Sequence, residues 1–458
     1  MGILLKDFTL LSHPDGPEES VSIVIEGERI ARIGNPSELE ASSFDKVIEG
    51  EGKLVMPGLV NAHTHLAMVL FRGLADDLPL QEWLEEVIWP AEKSLKGEEV
   101  YWASLLGIAE LLRSGVTTFA DMYFYMDQVA RAAEQSGMRA LLAYGMIAPD
   151  ETRAERELER GLELVEGWHG AAGGRIRVAF GPHAPYTCGE ALWRRATELA
   201  KEHDIMIHTH LAEAAPEVGE FKERHGVTEV EWLANLGAFE VPVLAAHCVH
   251  LDDKDIDILA EHDVQVAHNP TSNMKLGSGI APVSKLLDRG INVALGTDGA
   301  ASNNNLDMWE ELRLAALLAK VGGNPTALPA PEVLKLATIN GARALGWEDI
   351  GQIKEGMVAD LIILNLDRPH LIPQYNLISN LVYAANSRDV ETVIINGRIV
   401  MEEGEIRTFD EEEAKNKVKE ISKKYRTQVS RSQVTGSRFL NLELGTWNLR
   451  PGTWKEEA

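Results

Sequence analysis

Hydrophobic and β-branched residues recur along the chain as short runs separated by longer amphipathic stretches. Such runs fall at Val55–His65, Val116–Asp121, Arg139–Gly145, Ile176–Gly181, Ile205–His210, Val243–His247, Val264–His268 and Ile291–Gly296. Eight strands, each followed by a helical segment, predict a (β/α)8 barrel in the α/β class. The stretch after the first run shows the helical spacing well. Trp102, Leu105, Leu106, Ile108, Ala109 and Leu112 share one face, and Gly115 stops it.

The two ends of the chain have a different texture. Val21–Ile25, then a turn at Glu26-Gly27, then Glu28–Ile33 reads as a hairpin. Asp360–Leu364 and Val393–Val400 repeat that pattern near the other end. These segments predict a small β-sandwich domain assembled from both termini, with the barrel inserted between its halves. The expected limits are 1–56 and 359–409 for the sandwich, 57–358 for the barrel, and 410–458 for a terminal helix and tail. Asp410–Gln428 reads as a surface helix whose acidic start and basic end suit its dipole. The tail carrying Trp447, Pro451 and Trp454 reads either as a loose end or as a segment packing on a neighbouring subunit.

Charge narrows the class. Lys and Arg number 44 against 71 Asp and Glu, a formal charge of −27, which repels phosphate backbones and anionic membranes. Nucleic-acid and membrane partners are therefore not expected. The two cysteines, Cys188 and Cys248, lie far apart and form no CxxC pair. Lys6 and Asp7 interrupt the first apolar run, and no run approaches the roughly 20 apolar residues of a membrane span. The expectation is a soluble, cytoplasmic protein.

What the strand runs deliver at their carboxyl ends is the informative feature, because a barrel builds its active site there. His63 and His65 end the first run, His183 the fourth, His210 the fifth, His247 the sixth, His268 the seventh, and Asp298 follows the eighth. One histidine at a strand end is unremarkable packing. Imidazoles at the same end of most strands are the makings of a metal site. His208 and His210 share a strand face by spacing and compete for one ligand position.

The segments MPGLVNAHTHLAM, HTHLAE, AAHCVH, HNPTSNMKLGSG and GTDGAASNNNLDM, in that order, resemble the amidohydrolase superfamily. Within it the chain is most similar to the branch of S-adenosylhomocysteine and 5′-methylthioadenosine deaminases. That resemblance implies one divalent metal, zinc with iron as the alternative, held by His63, His65, His210 and Asp298. His210 is preferred to His208 because the family pattern puts the ligand three residues before the catalytic glutamate, here Glu213. Two-metal relatives need a lysine ending the fourth strand, and none occurs between Ala171 and Ala200.

The same resemblance implies roles for the remaining residues. Asp298 takes a proton from the attacking water and passes it to ammonia. Glu213 protonates the purine ring, and His247 orients the incoming oxygen. Substrate contacts are expected from Glu92 on the ribose hydroxyls and from His183. Arg153 or Arg156, read as lying in a loop, is expected on a carboxylate tail, with a solvated salt bridge as the alternative. Ser302 and Asn303 to Asn305 are expected to shape the loop after Asp298. The implied activity is hydrolytic deamination of adenosine derivatives, a small nucleoside being the partner; relatives commonly assemble, so a homo-oligomer is open. A guanine deaminase, a triazine chlorohydrolase and a non-catalytic scaffold are the competing readings.

Overall fold

A computed structural model of the chain describes residues 2–13, 16–35 and 44–435. Five strands open it: β1 (Gly2–Leu10), β2 (Glu18–Glu26), β3 (Arg29–Gly34), β4 (Lys46–Glu49) and β5 (Lys53–Pro57). Four more occupy the first half of the middle region: β6 (Leu59–Thr64), β7 (Val116–Tyr123), β8 (Arg139–Met146) and β9 (Ile176–Pro182). β10 (Ile207–Leu211), β11 (Val243–His247), β12 (Gln265–His268) and β13 (Val293–Leu295) complete that region. The last are β14 (Leu361–Asn365), β15 (Val390–Ile395), β16 (Arg398–Glu402) and β17 (Glu405–Ile406).

Strands β6 to β13 pair in sequence order, all parallel, into one eight-stranded sheet. The Asp298 N–H donates to the His63 carbonyl at 2.9 Å and ties the last strand's exit to the first strand. This is the expected barrel. Its interior is lined by small apolar side chains, including Val60, Ala120, Leu141, Ala179, Ala246 and Ala294. Trp347 and Ile350 plug the amino-terminal end, where Arg139 and Arg177 lie over the Trp347 ring. The carboxyl end is left to polar residues.

The run Val55–His65, expected as one strand, is two strands in two sheets. β5 pairs with β1 and β14 in the terminal sheet, while β6 opens the barrel. Gly58 is the corner: a Cβ there would lie 2.2 Å from the Thr117 side chain. Hydrophobicity hid the break because both strands are buried on both faces, so the apolar run continues across it.

The terminal segments form one mixed nine-stranded sheet in the order β17-β16-β15-β14-β5-β1-β2-β3, with β4 also paired to β1. Ile3, Ile23, Val55, Ile363 and Ile394, from both chain ends, share its own core. Leu54, Met56, Ile362 and Leu364 alternate onto the other face and join the main core of the barrel helices. A buried Arg139–Asp360 ion pair at 2.9 Å fixes the sheet to the foot of β8.

The terminal helix runs Glu411–Thr435, past the expected limit, and is docked rather than merely superficial. Ala414, Val418 and Tyr425 are buried. The Tyr425 ring meets Phe71 edge-on, and its hydroxyl donates to Glu99 at 2.8 Å. Trp447, Pro451 and Trp454 lie outside the described residues.

Candidate metal centre and active site

Three imidazoles and a carboxylate converge above the carboxyl end of the barrel. His65 Nε2 lies 3.2 Å from Asp298 Oδ1, His63 Nε2 lies 3.4 Å from the same oxygen, and His210 Nε2 lies 3.3 Å from His65 Nε2. The other nitrogen of each ring is held from outside. His63 Nδ1 meets His208 Nε2 at 2.9 Å, His210 Nδ1 donates to the His183 carbonyl at 2.7 Å, and His65 Nδ1 donates to the Met122 carbonyl. The two carbonyl contacts fix the tautomers of His210 and His65, and all three rings point Nε2 at the common centre, the arrangement a metal site requires.

His63 Nε2 is buried with no hydrogen-bond partner among the described residues, and burial lowers its pKa to about 4. Burial, together with neighbouring His183 and His63, holds His210 well below its ordinary value. At His65 burial is outweighed by the hydrogen bond and charge of Asp298, which raise the pKa to about 9. Three imidazoles converging on one carboxylate are a nitrogen and oxygen donor set that fits a divalent cation, whose charge would displace that proton. The ligand atoms of His63, His65 and Asp298 fall within 4.8 Å of one another, and so do those of His63, His210 and His247. His208 is not at the centre; it braces His63.

Asp298 is prepared for this position. Ser272 Oγ and Ser302 Oγ donate to its Oδ2 at 2.6 and 2.7 Å, leaving Oδ1 for the imidazoles. Ser302 thus holds the carboxylate itself, a more direct task than shaping the loop. Burial opposes ionisation of Asp298, but the His63 and His65 rings outweigh it and hold the pKa well below the usual range. Its backbone is left-handed at φ 59°, as is that of His247 at φ 74°, and such strain in non-glycine residues concentrates at working sites. Gly296 makes the turn possible, since a Cβ there would meet His63 backbone atoms at 2.8 Å.

Glu213, just past β10, and His247, ending β11, face each other with Oε2 and Nε2 3.6 Å apart. His247 Nδ1 contacts Asn273 Oδ1 at 2.8 Å, which places its proton there and leaves Nε2 with a lone pair. Burial, reinforced by the charge of Asp298, raises the Glu213 pKa to about 8, so the carboxyl holds a proton at neutral pH. His183 borders the same cleft, its Nδ1 paired with Thr187 Oγ1 at 3.0 Å.

The cleft is small, about 70 Å³, and widens into an outer chamber of about 800 Å³. Trp89, Glu92, Phe124 and Ile147 line both. Glu92 accepts from the Tyr123 hydroxyl at 2.7 Å, and burial raises its pKa to about 7. Arg153 lines the outer chamber with Arg160 and Trp168; Arg156 does not. Both Arg153 and Arg156 sit on the helix Glu151–Trp168, not in a loop, and Asp150 caps it by accepting from the Arg153 N–H at 2.9 Å. The residues missed from sequence are mostly braces: the His183 carbonyl, Ser272, Asn273, and Asp121, which accepts the Leu66 N–H at 3.0 Å beside His65. Asp150 was the available signal for the helix start.

A family model described as the amidohydrolase family matches residues 54–400. The chain is 51% identical over 431 residues to a 5-methylthioadenosine/S-adenosylhomocysteine deaminase of Dictyoglomus thermophilum, covering 93% of this chain and 100% of that one. It is 53% identical over 392 residues to a 5′-deoxyadenosine deaminase of Methanothermobacter thermautotrophicus, covering 85% and 91%. Among solved structures, an adenosine deaminase from Xanthomonas campestris with bound zinc superposes with a TM-score of 0.86 at 34% identity, covering 94% and 98%. Among the described residues, no helix is long and apolar enough to cross a membrane.

Proposed function

The chain belongs to the amidohydrolase family, and from that premise we propose that it deaminates 5′-substituted adenosines hydrolytically, converting adenine to hypoxanthine and releasing ammonia. The observation that carries this reading is a buried carboxyl, Glu213, facing His247 at 3.6 Å beside a convergent His63, His65, His210 and Asp298 cluster. Those four residues would hold a divalent cation, zinc by analogy with the zinc-bound neighbour, which would supply a Lewis acid able to render water nucleophilic near neutral pH.

The protein's own groups then move the protons. Glu213 delivers its proton to the ring nitrogen next to the amino-bearing carbon, which makes that carbon electrophilic. Asp298 accepts a proton from the attacking water, and His247 Nε2 orients the incoming oxygen through its lone pair. When the C–N bond breaks, Asp298 passes its proton to the departing ammonia, and the hydroxyl proton released as the carbonyl forms restores the acid form of Glu213. Glu92, at the junction of cleft and chamber, accepts from the ribose hydroxyls, and the chamber receives the 5′ substituent. Expelling ammonia needs a proton on the leaving group, the task given to Asp298, whereas halide needs none; the relatives named deaminases, at 51% and 53% identity, favour deamination over chlorotriazine hydrolysis.

Replacing Glu213→Gln tests the assignment, with 5′-deoxyadenosine as substrate and metal content measured in parallel. Metal should be retained while turnover falls by about 10²–10⁴. Full activity in that variant would refute the assignment. The wild-type enzyme needs the acid form of Glu213, so its kcat/KM should hold at neutral pH and decline as pH rises through about 8. A substrate panel of 5′-deoxyadenosine, methylthioadenosine, S-adenosylhomocysteine, guanine and a chlorotriazine, followed by ultraviolet absorbance, separates the rival readings.

A further inference from the structure

The peptide that carries Glu213 is gripped by two other glutamates that do not line the cleft. The Glu213 N–H donates to Glu217 Oε1 at 2.8 Å, and the Ala212 N–H donates to Glu229 Oε2 at 2.9 Å. The Ala212 carbonyl accepts from the N–H groups of Val249 and His250 at 3.0 and 2.9 Å. Ala212 itself is left-handed at φ 51°, a conformation that alanine holds only when its surroundings impose it.

The two carboxyl groups are costly where they are. Glu217 and Glu229 are 7% and 1% exposed, and Glu217 Oε2 and Glu229 Oε1 are buried without hydrogen-bond partners among the described residues. An unsatisfied buried polar atom is a penalty that needs a reason. Helix capping gives only part of one. Glu217 is the third residue of the helix Ala215–His225 and reaches back as capping residues do, to the Ala214 cap and, at 2.8 Å, to the N–H of Glu213 one residue before it. Glu229 opens the next helix, Glu229–Leu236, but serves a peptide seventeen residues earlier.

We infer that Glu217 and Glu229 are positioning residues, which lock the strained Ala212–Glu213 peptide so that the Glu213 carboxyl stands at its working distance from His247. The inference rests on the reading of Glu213 as proton donor. The same clamp joins two arms of the site, because the Ala212 carbonyl is bound by the chain immediately after His247. A shift in the clamp therefore changes the Glu213–His247 separation and spares the metal ligands, which are braced independently by His208, His183 and Met122.

The test compares Glu217→Gln, Glu217→Asp, Glu217→Ala and Glu229→Gln in metal-loaded protein, with 5′-deoxyadenosine as probe. Gln keeps both reach and an acceptor oxygen, so kcat should stay within about threefold of wild type. Asp keeps the carboxyl but withdraws the acceptor by one methylene, so kcat should fall about tenfold to a hundredfold, with KM and metal content nearly unchanged. Ala should match Asp; if Ala fails to fold, the Asp and Gln variants decide alone. Wild-type kcat in Glu217→Asp, even at a lowered Tm, would overturn the inference and leave a helix cap only. So would equal losses in Gln and Asp, since acceptor placement would then not be the cause. If Glu213→Gln is fully active, the proton-donor reading fails instead, an outcome distinguishable from failure of the clamp alone.

Discussion

The floor of the cleft and its outer chamber are built on opposite principles. On the floor, His63, His65 and His210 each have their outer nitrogen bonded to a fixed partner, and Asp298 has one oxygen held by two serines. In the chamber, Arg153 offers a guanidinium with no hydrogen bond or ion pair among the described residues, on an exposed helix flank. Chemistry on a fixed bond needs atoms preorganised to a fraction of an ångström, whereas accommodating a variable tail needs space and charge. The difference teaches where substitutions should abolish turnover and where they should only re-rank substrates.

Removal of the metal is the strongest way to break the contrast. Chelation, or His210→Ala, should take activity to background for every substrate alike and lower Tm by roughly several degrees, because a ligand bound only by the folded state stabilises it. Calorimetry with and without restored zinc, beside an ammonia assay, checks both. A chelated enzyme that still turned over would remove the floor from the mechanism.

That floor was legible in the sequence for a physical reason. A parallel strand fixes which end faces the site, so His210, His247 and Asp298 could be placed from where the apolar runs stop. The terminal sheet was legible too, from its paired hairpin-like ends. Legibility failed where the pattern carries no break or the partner is remote. Nothing in the apolar stretch Val55–His65 marks the change of sheet except Gly58, whose role depends on Thr117, far along the chain. His65, expected at the end of the first run, lies beyond the strand, since β6 is irregular after Asn61 and ends at Thr64. Backbone braces such as the Met122 and His183 carbonyls have no sequence signature at all.

His208 sharpens the comparison at intermediate size. It contacts no substrate cavity, yet its Nε2 meets Nδ1 of His63. Replacement by Phe keeps the bulk and removes that contact, so metal affinity should fall about 10–100-fold while metal-saturated kcat changes less. Competitive titration against a chromogenic chelator reads the affinity. Unchanged affinity would mean that packing alone orients His63.

The smallest effect belongs to the chamber, and it should depend on the substrate. Arg153 lines the chamber with Arg160, Leu164 and Trp168 of the same helix, whereas Arg156, one turn on from Arg153, does not line it. Arg160 is already engaged, donating to the Tyr144 hydroxyl at 2.7 Å, so of the two arginines lining the chamber Arg153 is the one open to a carboxylate tail, with Lys93 the other cation on the wall. Arg153→Ala should raise KM for S-adenosylhomocysteine about tenfold, the worth of one partly exposed charge-assisted contact, and leave 5′-deoxyadenosine within about twofold. Arg156→Ala should change neither. If both variants behave alike, or if Arg153→Ala weakens the two substrates equally, the chamber does not read the charge of the tail and selects by space alone.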